Sequence, residues 1–90
     1  MSRSEIVAAI GELCDKLNHE LPPVEYSNGW TDARRLDLLN YFQKLQAEMS
    51  AGAEIPYIPL ARTLDSVGIS EGELLEEIFR ITNKINAKEY

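Results

Sequence analysis

Apolar residues recur along this chain at helical spacing in four places. Ile6, Ile10, Leu13 and Leu17 form the first seam, with Val7, Cys14 and Leu21 beside it and Glu12, Asp15, Lys16 and Glu20 on the opposite side. Such a stripe, with a polar reverse face, is what a surface helix needs to dock on a core, and it predicts a helix from about Ser4 to His19. Either Ser2 or Ser4 is a suitable cap, and Ser2 with Glu5 fits a capping box. Gly11 lies inside this helix, where a close crossing by another element would account for it.

Leu38, Phe42, Leu45 and Met49 make a second seam, widened by Leu39 and Tyr41, with Asn40, Gln43, Lys44, Gln46 and Glu48 facing water. It predicts a helix from Asp32 to Ser50, capped by Thr31. Between these two helices, Leu21 to Trp30 reads as a connection. Pro22 and Pro23 end the first helix and hold the chain extended, and Asn28-Gly29 is a turn signal. Leu60, Ala61, Leu64 and Val67 then outline a short third helix, with Pro56 or Pro59 in its first turn.

The last quarter is the most heavily patterned. Leu74, Ile78, Ile81 and Ile85 form one seam and Leu75, Phe79 and Thr82 a second beside it, on a helix running to about Lys88. Two seams imply burial on two sides. The junction before it reads as a Schellman ending at Gly68, with Ile69 packing back on Leu64, then Ser70 as cap and Glu73 closing a capping box. The expected fold is therefore all-α: one domain over residues 1–90, with three long helices, one short one, and a corner between the third and the fourth. Its core should include Ile6, Ile10, Leu13, Leu17, Leu38, Phe42, Leu45, Leu64, Leu74, Ile78 and Ile81.

Composition adds two constraints. The chain has 90 residues and a net charge of −6, from 15 acidic and nine basic residues. A small domain buries a modest share of its surface, and an acidic one is repelled by nucleic acid and anionic membranes while favouring basic partners. The single cysteine, Cys14, excludes an intrachain disulfide and reads as a small buried thiol. Neither a membrane-spanning run nor a signal-peptide pattern is seen, so the expected location is the cytoplasm.

Catalytic chemistry finds little to work with. His19 is the lone histidine, at the end of the first helix, where a cation suits the helix dipole. Glu71, Glu73, Glu76 and Glu77 cluster without the aspartate–glycine pattern of a calcium loop, and no phosphate loop, dinucleotide fingerprint or zinc spacing is present. No cofactor, metal or catalytic residue is expected. Asp65-Ser66-Val67 resembles the serine motif of acyl carrier proteins, but it closes a helix and only the last helix follows it, so no prosthetic-group site is carried across. The third and fourth helices resemble a helix-turn-helix, which implies a DNA-binding regulator, commonly dimeric. Against that, the helix that would enter the groove opens with four glutamates, where phosphate contacts need cations.

The expected function is non-enzymatic protein binding, as an adaptor, regulator or inhibitor of the immunity-protein kind; the alternative is a divergent dimeric helix-turn-helix regulator. Candidate binding residues are Tyr26, Trp30, Arg34 and Arg35 around the Asn28-Gly29 turn, Tyr57 between two prolines, and the acidic Glu73, Glu76 and Glu77. Aromatic residues and arginine are the types most enriched at binding hot spots. Phe79, Thr82 and Ile85 are the candidate strip for a homodimer.

Overall fold

The computed structural model describes residues 2–88 and 90. Among them the chain is all-helical, with five helices: α1 (Arg3–Leu17), α2 (Pro23–Ser27), α3 (Asp32–Ser50), α4 (Leu60–Ser66) and α5 (Glu73–Asn86). Its radius of gyration of 12.7 Å is close to the about 12 Å of a compact globule of this length.

α1 opens at Ser2, whose hydroxyl accepts the Glu5 amide. The capping box is completed differently from the reciprocal form, by a bond between the Ser2 hydroxyl and the Glu5 carboxylate at 3.1 Å. α3 starts and stops where its pattern predicts, with Thr31 accepting the Arg34 amide. Its buried seam is Leu39, Phe42, Leu45 and Met49, while Leu38 is only half-buried. Leu38 and Leu39 lie about 100° apart on a helix and both extend the stripe, so packing, not periodicity, selects between them.

α1 and α3 run antiparallel, and three contacts set their register. Arg3 donates to the Met49 carbonyl at 3.1 Å, Gln46 to the Val7 carbonyl at 3.1 Å, and Arg35 to the Leu17 carbonyl at 2.7 Å. Each helix therefore ends on a guanidinium from the start of its neighbour, a cation at the negative helix end; the Met49 carbonyl also accepts the Gly52 amide at 3.2 Å. Gly11 serves this crossing: a Cβ there would stand 3.0 Å from Gln46 Nε2.

The connection after α1 differs from the extended segment expected. Pro23 stands in the first turn of α2, where its missing amide proton does no harm. α2 carries Glu25 inward, 5% exposed, and the Asn28-Gly29 turn lies on the α4–α5 corner. A Cβ on Gly29 would come within 2.9 Å of the Gly68 carbonyl oxygen.

That corner is half as expected. Ile69 N–H bonds Leu64 C=O and Gly68 N–H bonds Asp65 C=O, both at 3.0 Å, with Gly68 at φ 86°, which is a Schellman ending. The helix start that follows is different. Ser70 does not cap α5; Gly72 is the N-cap residue, at φ 120°, with no side-chain cap of its own. The Leu74 amide is instead accepted by Glu25 Oε2 at 2.8 Å, and Asn28 Nδ2 holds the other carboxylate oxygen at 2.9 Å. In α4, Leu60 and Leu64 are buried as expected, but Val67 is 39% exposed because the helix has ended before it. The Ala61 side chain lies outside the described residues.

Candidate protein-binding surfaces

The Tyr26–Arg35 group is tied together as a brace, with Trp30 buried and Tyr26, Arg34 and Arg35 half-buried. Trp30 is 2% exposed, so it cannot act as an external anchor. Tyr26 Oη donates to Asp32 at 2.7 Å and accepts the Leu21 amide at 3.2 Å. Arg35 bonds both Asp32 and the Leu17 carbonyl, and Arg34 donates to the Gly29 carbonyl at 3.2 Å. The Tyr26 hydrogen bond, aided by Arg35, holds the Asp32 carboxyl below its usual range, and the same bond raises the Tyr26 phenol. Side-chain types suited to hot spots are here consumed in fixing the α1–α3 connection.

The strip expected for self-association is also largely covered. Ile85 is fully buried and Thr82 2% exposed; of the three, only Phe79 keeps accessible surface. The cover is the segment between α3 and α4. Asn86 accepts the Ile58 amide at 2.7 Å and donates to the Ile58 carbonyl at 3.0 Å, as a peptide group in a ladder would. Lys88 donates to the Ile55 carbonyl at 2.6 Å. Ile55 and Ile58, whose backbone these bonds hold, are both buried in the core.

The same strap pushes Tyr57 outward. Its neighbours Ile55 and Ile58 face in, and it is 74% exposed, more than any other large apolar side chain of the described residues. Grooves of about 220 and 290 Å³ lie on either side and share Tyr57, Ile58 and Pro59 in their walls. Tyr41 and Pro56 border the first, and Phe79 with Arg62 the second. Tyr41, 39% exposed, packs edge-on against Phe42 with ring centroids 5.2 Å apart, and burial followed by the nearby Glu48 raises its phenol. The sequence pattern singles out Tyr57 but places Tyr41 at the edge of the α3 core stripe. Its place just outside that stripe was the available signal.

Glu73 and Glu76 are exposed on the first turns of α5, and Glu77 pairs with Lys16 at 2.8 Å. Glu73 and Glu77 border a further groove of about 330 Å³ with Lys16, Glu20, Leu21 and Leu74. Among the described residues, no three of His, Cys, Asp and Glu converge closely enough to hold a metal ion. Cys14 is buried, and desolvation followed by the charge of Asp15 raises its thiol, the opposite of what a nucleophile needs. Ser66 donates its hydroxyl to the Thr63 carbonyl at 2.7 Å in the last turn of α4. No helix is long and apolar enough to cross a membrane among the described residues. No family model, curated protein or solved structure matches the chain.

Proposed function

We propose that this chain is a non-enzymatic protein-binding domain, of the adaptor, regulator or inhibitor kind. The observation that carries the reading is Tyr57, 74% exposed on a strap bounded by Pro56 and Pro59 and set between two grooves. A large ring held out by a tethered backbone loses little freedom on binding, and rings of this type dominate interface energetics. The net charge of −6 favours a basic partner and speeds encounter with it. The reading fits a domain acting where such a partner resides, with the cytoplasm as the expected compartment.

Affinity capture from native extract tests this with three baits: the parent, Tyr57→Ala, and Leu36→Ala as a control at another exposed apolar residue. A protein held by the parent and by Leu36→Ala but lost from Tyr57→Ala supports the reading. Equal retention on all three overturns it.

A homodimer through the same face is the second form of this reading. Phe79, across the larger groove from Tyr57, favours it. Sedimentation equilibrium separates the two forms, at 10.2 kDa for a monomer and twice that for a pair. The helix-turn-helix alternative draws less support. α5 is buried along Leu74, Leu75, Ile78, Ile81, Thr82 and Ile85, and its exposed positions are Glu73, Glu76, Arg80 and Asn83. That face presents carboxylates where a phosphate backbone would lie.

A further inference from the structure

The groove between the end of α1, α2 and the start of α5 has a different chemistry from the Tyr57 face. Its floor is apolar, made of Leu21, Pro22 and Leu74, and its rim carries Glu20, Glu73 and Glu77. The buried carboxylate of Glu25 also lines it. Against these stand Lys16 and His19. Lys16 is already seated on Glu77 at 2.8 Å with its side chain 60% exposed, which leaves Glu20 and Glu73 without a cation among the described residues. At the positive end of α5 the Leu74 amide is already taken by the Glu25 carboxylate, which offsets part of that end's positive charge. The space continues past Pro22 along Pro23 and Tyr26 as a second, adjoining groove.

An apolar floor under a carboxylate rim suits one kind of side chain. Lysine and arginine lay long methylene stems on apolar surface and carry the charge to the edge. We propose that this groove binds a basic segment of a partner polypeptide, successive lysine or arginine stems lying on Leu21, Pro22 and Leu74 with their cations at Glu20 and Glu73. The adjoining groove supplies the length that an extended segment requires. Among the described residues no three carboxylates converge closely enough to hold a metal ion, so the rim matches successive basic side chains better than a single ion. Lys16 on Glu77 is the intramolecular version of the same contact, and it competes for the site. Charge complementarity in this groove also raises the rate of encounter and makes binding fall with salt.

The groove is distinct from the Tyr57 face, so its test stands independently of the capture experiment. The isotopically labelled chain is titrated with N-acetyl tetra-arginine amide at low salt and followed by amide NMR shifts. Saturable shifts confined to the amides of residues 16–26 and 73–77, which line the two adjoining grooves, are expected. Glu20→Gln and Glu73→Gln should each weaken binding roughly two- to fivefold, the range of an exposed ion pair, while their spectra report that the fold is kept. Lys16→Gln should tighten binding by a similar factor, whereas Lys44→Gln, an equal charge change on α3, should not. Shifts spread evenly over the acidic surface, or an equal gain from Lys44→Gln, would overturn the site. Spermine binding to the same residues as tightly as the peptide would overturn the assignment to a polypeptide.

Discussion

Glu25 and Gly72 work as one unit. The carboxylate of Glu25 reaches the Leu74 amide because the N-cap position has no side chain: a Cβ on Gly72 would stand 2.6 Å from both Glu25 Oε1 and Asn28 Nδ2. Hydrogen bonds to a charged group contribute about 1.5–3 kcal/mol, so Glu25→Ala should cost about 3 kcal/mol in a denaturant melt. Glu25→Gln, which keeps an acceptor but loses the charge at the helix start, should cost about 1 kcal/mol. The two glycines of the corner should also differ. Gly68, at φ 86°, is open on its side-chain side, where a Cβ would meet nothing within 4 Å. It carries only the conformational penalty, about 1 kcal/mol for alanine. Gly72→Ala adds a clash to that strain and should cost about 2–4 kcal/mol. Ser70→Ala should be near neutral, since Ser70 is exposed and caps nothing. Equal melts for the Gly68 and Gly72 variants would mean that the contact with Glu25 is not formed.

At the level of elements, the α1–α3 pair is closed at each end by an arginine from the other helix. The two contacts are separated by most of the length of α3, about 20 Å at the helical rise, and share no partner. Arg3→Met and Arg35→Met should therefore each destabilise by about 1–2 kcal/mol, and the double variant should show their sum to within about 0.5 kcal/mol. A marked departure in equilibrium unfolding would reveal coupling through the helix pair. The α2–α3 brace has a pH signature. Asp32 is depressed in the folded state, chiefly by the Tyr26 hydrogen bond and further by Arg35. A lowered folded pKa means its contribution is complete above the ordinary aspartate value. The contribution is lost as pH falls through the depressed folded value. Asp32→Asn should remove that part of the acid limb, so the variant-to-parent stability gap should narrow as pH drops from 5 towards about 2.

For the whole molecule, the decisive feature is that α5 is covered on two sides by its own chain. α1 and α4 pack on it, and the Ile55–Ile58 strap closes over its end. Ile85→Glu would place a carboxylate at a fully buried position, and an unpaired buried charge costs several kcal/mol. It should abolish cooperative unfolding at 25 °C, not convert a dimer to a folded monomer. Circular dichroism melts check this: a folded Ile85→Glu chain with parental stability would mean that the strap does not close. The molecule is left with an aromatic face around Tyr57 and a carboxylate-rimmed groove beside Leu74, each with its own chemistry.

The sequence by itself determined the helical class, α3 with its cap, the seams of α1 and α5, and the Schellman ending at Gly68. All of these rest on local physics: the helical repeat, a hydroxyl within one turn of its amide, and a glycine where the chain must turn left-handed. Pro23 and Glu25 also satisfied the local rule for a helix start, but five residues gave α2 too little periodicity to be read. Tertiary structure decided the rest. Glu25 caps a helix whose amide is 49 residues away, and Asn86 binds a strap 28 residues away. Trp30 is buried and Tyr57 exposed, although both are aromatic residues in apolar connections. Composition assigns them the same tendency. The backbone that fixes Ile55 and Ile58 inward, and so turns Tyr57 out between them, exists only once α5 is in place to bind it.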